Sequence, residues 1–183
     1  MHPAFLYLPG ARLELPELRA ALLDGHLVAV GEAFIPADLV EGPGTRASSI
    51  ATLIPQDTAA SGPTAAWIHG AGDAPPALHH VRRVVDRRIR PVLDRRVTLH
   101  DVYVPESELV RLGGVAVLTP RRTMVDLALG LHRDESLMRW IAALTDVSPT
   151  LADEAIQSLD DLGRVPGKLA GRAALARIAV RTR

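Results

Sequence analysis

The stretch RRVVDRRIRPVLDRR, from Arg82 to Arg96, sets seven arginines against two aspartates in a chain of 183 residues whose formal net charge is zero. A guanidinium is a planar fork that matches phosphate oxygens and guanine edges. A protein that neutralises duplex phosphates gains affinity by releasing condensed counterions. The chemistry this run could do is therefore DNA-backbone binding by Arg82, Arg83, Arg87, Arg88, Arg90, Arg95 and Arg96, with Arg12 and Arg19 nearer the N-terminus to supplement them. The competing reading is a solvated strand face. Composition gives that reading weight, because one lysine, Lys168, against twenty arginines points to a coding bias. Neighbouring side chains on a strand also face opposite ways, so the seven cannot all line one flat patch unless a hairpin or a turn near Arg90-Pro91 gathers them. Guanidiniums scattered to opposite sides, or each neutralised by an internal carboxylate, would remove the basis for such binding.

Other chemistry is poorly represented. The histidines are His2, His26, His69, His79, His80, His100 and His132, and none pairs at i, i+4 around a glutamate as in a zinc helix. On a strand, His79 and His80 would point opposite ways, and both are expected to be solvated. GAGDAPP lacks the pattern of a phosphate-cradling loop, and Asp86, Asp94 and Asp101 read as surface charge. With no cysteine there is no thiolate metal site, thiol nucleophile or disulfide. The expectation is a protein without cofactor, without metal and without enzymatic activity.

The elements that would carry the arginines can be read from local patterns. Pro16 to Leu23 predicts a helix with Leu15, Leu18 and Leu22 on one side, stopped at Gly25. Leu27 to Val30 and Ala33 to Ile35, separated by Gly31-Glu32, predict a hairpin. Helix plus hairpin is the back half of a winged helix. The preceding segment, with Pro3, Pro9 and Gly10, has no helical period, so the unit is abbreviated. Gly42, Pro43 and Gly44 read as a linker, dividing residues 1–41 from 45–183. A helix is expected over Thr45 to Ile54, loop over Gln56 to Pro63, and a short apolar helix in GPTAAWIHG. The alternation of Val81, Val84, Val85, Ile89, Val92, Val97, Leu99, Val102 and Val104 with charged residues predicts strands throughout His79 to Val104. A strand at Val115 to Leu118 leads to a helix capped by Thr119 with Pro120 in its first position. Three further helices are expected, over the segments around Leu137 to Leu144, Ser148 to Leu162 and Lys168 to Val180. The fold class is α+β: an abbreviated winged helix, then a mixed α/β domain with a helical C-terminus.

Two of these segments, GPTAAWIHG at Gly62 to Gly70 and VAVLTPRRTMVDLAL at Val115 to Leu129, together with the helix and hairpin at Pro16 to Pro36, resemble the AbiEi antitoxins of type IV toxin-antitoxin systems. The Thr-Pro-x-Arg-Thr-x-x-Asp-Leu-Ala signature from Thr119 to Ala128 is the more specific of the two, and the likeness covers about residues 16 to 130. The resemblance implies a winged helix bound to operator DNA, repression of the protein's own operon, and neutralisation of a nucleotidyltransferase-like toxin, not necessarily by direct contact. On the residues alone the signature is first of all architecture. Arg122 and Asp126 are spaced to pair across one helix turn, or Asp126 anchors a buried network with Arg121 or Thr123.

Charge is segregated along the chain. Residues 1–81 hold three arginines and eight acids, net −5; residues 82–122 hold ten arginines and five acids, net +5. Between Pro16 and Gly25 only Arg19 is cationic, beside Glu17 and Asp24, so DNA affinity would come from the Arg82 to Arg96 segment with the winged helix orienting it. Homodimerisation would double that footprint. The alternative is a non-enzymatic protein-interaction module that has lost specific DNA binding. No apolar run approaches the roughly 20 residues that span a bilayer, and no secretory signal opens the chain. The expected location is the cytoplasm, with no membrane partner.

Overall fold

The structure is a computed structural model that describes residues 5–181, so His2 lies outside the described residues. Helix α1 (Leu15–Leu23) is followed by strands β1 (Leu27–Val30) and β2 (Ala33–Pro36). The sequence explains α1 locally. Pro16 sits in its first turn, and Glu14 and Glu17 exchange side-chain and backbone hydrogen bonds around its start. Gly31, with φ of 55°, turns the hairpin, and a bridge from Tyr7 to Phe34 adds a third short partner. Leu18, Leu27 and Phe34 form a small core of their own, while Val30 and Ile35 join the main one. The N-terminal unit is thus stitched to the rest through one face of the hairpin.

Pro43 and Gly44 lie in the first turn of helix α2 (Pro43–Ser49), with Gly42 preceding it, so the expected linker is instead the start of the helix predicted two residues later. Proline fixes φ near the helical value and loses no hydrogen bond there. A short 3-10 turn, Ala51–Leu53, ends this segment. Strand β3 (Thr58–Ala60) falls where a loop was expected. Helix α3 (Gly62–Ile68) comes next, then strand β4 (His79–Arg83), strand β5 (Val97–Tyr103), strand β6 (Leu109–Leu112) and strand β7 (Val115–Leu118). Helices α4 (Pro120–Gly130), α5 (Met138–Val147), α6 (Leu151–Asp161) and α7 (Lys168–Arg181) complete the chain.

The sheet runs β5-β4-β3-β7-β6. β6 and β7 form a hairpin through Gly113-Gly114, both at positive φ as a two-residue turn requires. A side chain on Gly113 would collide with the backbone of Gly44 and Ser48, which fixes α2 against this turn. β4 and β5 pair in parallel, so their connection is not a hairpin. It is an irregular crossover from Val84 to Arg96, where continuous strand was expected. The α-helices pack on one another around α4, which touches α3, α5, α6 and α7. Trp67, Ile68, Leu118, Met124, Leu127, Ile141, Leu144, Leu159 and Leu175 are fully buried between sheet and helices. The class is α+β with a helical C-terminus. No helix among the described residues is long and apolar enough to cross a membrane.

Candidate functional site

The arginine run divides into three environments. Arg82 and Arg83 end β4 and turn to different surroundings. Arg82 Nη1 lies 3.0 Å from Asp126 Oδ2 on α4, and the Asp126 side chain is only 4% exposed. Asp126 Oδ1 accepts from Arg122 Nε at 3.0 Å, the i, i+4 pair that the helix spacing predicts. The third member of this buried trio is therefore Arg82, from the opposite element, rather than Arg121 or Thr123. Burial pushes the Asp126 carboxyl above its usual range against the pull of both guanidiniums, and burial likewise lowers Arg82 although Asp126 opposes it. Arg83 donates from Nε to Asp101 Oδ1 at 2.8 Å and from Nη1 to the carbonyls of Val85 and Asp86, each at 2.7 Å. Its guanidinium also lies over the Tyr103 ring. These two arginines are fixed by internal partners and belong to no cationic surface: breaking the buried pair would strand a charge away from water.

The crossover supplies the second environment. Arg87, Arg88, Arg90 and Arg95 are exposed. Arg87 Nη2 donates to Asp57 Oδ2 at 2.6 Å, and Arg88 Nε stands 3.4 Å from the Asp101 carboxylate that Arg83 already holds. Arg90 and Arg95 make no ion pair among the described residues.

Arg96 is the third case. Its Nη1 donates to Glu32 Oε1 at 2.8 Å and its Nε to Asp94 Oδ1 at 3.1 Å, tying the end of the crossover to the turn of the N-terminal hairpin. These bonds raise Arg96 and hold the Asp94 carboxyl below its usual range. Asp94 also accepts from the Arg96 backbone N–H, a local turn that delivers the chain into β5.

Arg12 is exposed in the loop before α1, and Arg19 is exposed on α1 itself. That helix also turns Leu22 and Leu23 outward, the latter 87% exposed, together with Glu17 and Asp24. It presents an acidic and apolar face to solvent, unlike a helix that reads a DNA groove.

The histidine pair departs from expectation. His79 is buried, its Nδ1 without a hydrogen-bond partner, and burial lowers its pKa. His80 is half-buried, and its Nδ1 lies 2.8 Å from His100 Nε2, with the two rings parallel. Burial, His100 and His79 together push His80 down to about 4. Neither side chain is solvated as predicted, because parallel pairing of β4 with β5 buries one and places the other against its neighbour. The signal available in the sequence was the period-2 spacing of His80 with Arg82 and of His100 with Val102, legible only once the register is known. His69, at the end of α3, donates from Nε2 to the Leu118 carbonyl at 2.7 Å, a free carbonyl as expected but at the end of β7. Among the described residues no group of three or more His, Cys, Asp or Glu side chains is placed to hold a metal ion.

A family model described as the AbiEi antitoxin C-terminal domain matches residues 58–176, from β3 into α7. Among curated proteins there is no match. Of solved structures, the crystal structure of the RV2827C protein from Mycobacterium tuberculosis is similar at 20% identity, covering 88% of this chain and 69% of that one with a TM-score of 0.35.

Proposed function

The chain belongs to the family of AbiEi antitoxin C-terminal domains, and from that premise we propose that it serves a toxin-antitoxin system as an antitoxin that also binds duplex DNA and represses its own operon. The observation that carries the DNA-binding part is the Arg96–Glu32 pair. It joins the crossover to the hairpin of the N-terminal unit, so that Arg87, Arg88, Arg90 and Arg95 extend from a segment anchored beside the wing. The ion pairs within that segment are no obstacle. Exposed pairs contribute about 0–1 kcal/mol, so a DNA phosphate can replace Asp57 at Arg87 or Asp101 at Arg88 at small cost. Arg82 and Arg83 drop out of the contact set for the opposite reason. Affinity rests on charge, and the hairpin orients it. The toxin it counters would be of nucleotidyltransferase type, as the family resemblance implies.

The outward face of α1 favours a second reading. Leu22 and Leu23 among acidic residues suit a protein partner better than a phosphate backbone. Gel-shift titration of the DNA upstream of the gene against a scrambled duplex, repeated across salt concentrations, separates the two. Preference for the upstream DNA together with steep salt dependence supports the repressor. No binding near physiological salt overturns it and leaves the interaction module.

A further inference from the structure

Between the β4–β5 edge of the sheet and α4 lies a cavity of about 480 Å³, in the size range of small-molecule sites. Its polar wall holds His80 and Arg82 from β4, His100 from β5, and Arg122 and Asp126 from α4. Pro63, Val102, Leu137 and Val165 give it an apolar wall. The inner charges do not balance: two guanidiniums share the single Asp126 carboxylate. At the mouth the exposed Arg133 and Asp134 cancel. With the imidazoles neutral, one positive charge remains in a partly desolvated recess, where an anion gains more than it would in water. Asp126 Oδ2 is near Arg82 but accepts no hydrogen bond, so the trio is attracted without being satisfied. The stacked imidazoles add a second feature. Whichever of them donates in their shared bond, the pair keeps one free donor and one free acceptor, a reading edge for a heterocycle.

We propose that this cavity binds a nucleoside monophosphate, its phosphate taken by Arg82 and Arg122 and its base set between the His80–His100 pair and the apolar wall. Phosphate alone would leave most of the space empty, and a nucleoside alone would leave the excess charge unmet. The site is separate from the exposed arginines of the crossover and does not depend on DNA binding.

The test is calorimetric titration of the full chain with adenosine, guanosine, cytidine and uridine monophosphates, their parent nucleosides and inorganic phosphate. At least one monophosphate should bind at one per chain, with its nucleoside and inorganic phosphate at least about tenfold weaker, the range of a charged hydrogen bond lost. Arg122→Gln should weaken that binding by at least about tenfold, and His100→Ala should weaken it too. Asp126→Asn should tighten it, because the carboxylate no longer competes for the guanidiniums, an outcome that a purely architectural Asp126 would not give. If Asp126→Asn does not fold, Arg122→Gln and His100→Ala, at the more open side of the site, carry the test. Absence of binding, equal binding of nucleoside and monophosphate, or equal loss on replacing Arg87 and Arg88 by alanine would each overturn the proposal.

Discussion

Arg82 and Arg87 stand five residues apart in one cationic run, and each has a carboxylate within 3.0 Å, yet they do opposite work. Around Arg82 the carboxylate is 4% exposed; around Arg87 it is 40% exposed. Coulomb energy scales inversely with the effective dielectric, so the same contact is structural in the first place and exchangeable in the second. An arginine therefore cannot be assigned to a nucleic-acid surface by its place in a charged stretch. What decides is whether its partner can be surrendered to water or phosphate without stranding a charge.

The sharpest way to break this comparison is Arg82→Ala, which should destabilise the protein by about 3–5 kcal/mol, as removal of one partner of a buried pair does; urea denaturation reads it. The sign of its pH dependence follows from Asp126. Burial already raises that carboxyl, and loss of Arg82 raises it further. The charged form is then the disfavoured one, so the penalty is full above the unfolded value and shrinks as pH falls through the folded one. The gap between variant and parent should therefore narrow toward acid. A gap that is constant in pH would mean that lost packing, not a stranded charge, causes the effect.

Next in size is the double replacement of Arg87 and Arg88 by alanine. It should leave stability within about 1 kcal/mol while lowering the slope of log affinity for duplex DNA against log salt by about 2, near 0.9 for each phosphate released. Glu32→Gln comes third. Removing a carboxylate from the hairpin turn frees Arg96, so DNA affinity should rise slightly at low salt with an unchanged melting temperature. A fall in affinity would mean that Glu32 matters as an anchor for the crossover rather than as a competitor for its charge. The smallest effect belongs to His80. Its folded value, about 4, lies below the ordinary 6.5, so only the unfolded chain gains a proton in that window, and its contribution makes stability decline as pH drops from 6.5 toward 4. An NMR titration of the ring should find it neutral at pH 6.

The local parts of this fold were legible. Thr119 accepts from the Arg122 N–H and Pro120 occupies the first turn of α4, as the residues dictate. The β1–β2 hairpin follows from Gly31-Glu32 alone. What stayed hidden depends on distant chain. β3 is Thr-Ala-Ala, buried on every residue, so it has no alternation to betray it. The valines and isoleucine of the crossover imitate a strand, yet no neighbour offers them a ladder. The trio of Arg82, Arg122 and Asp126 spans 44 residues: its helical half could be read from i, i+4 spacing, whereas its strand half required knowing which strand lies under α4.

The parallel join of β4 to β5 carries a dynamic consequence. β5 sits at the sheet margin with one neighbour, and thirteen residues of irregular chain lead into it. Its detachment uncovers little of the interior, so it is the cheapest opening of the sheet. Backbone deuterium uptake should accordingly run fastest through the crossover and β5 and slowest in β3 and β7, a gradient from margin to middle that would place the exchangeable cations on the most yielding part of the framework and the buried trio at its boundary.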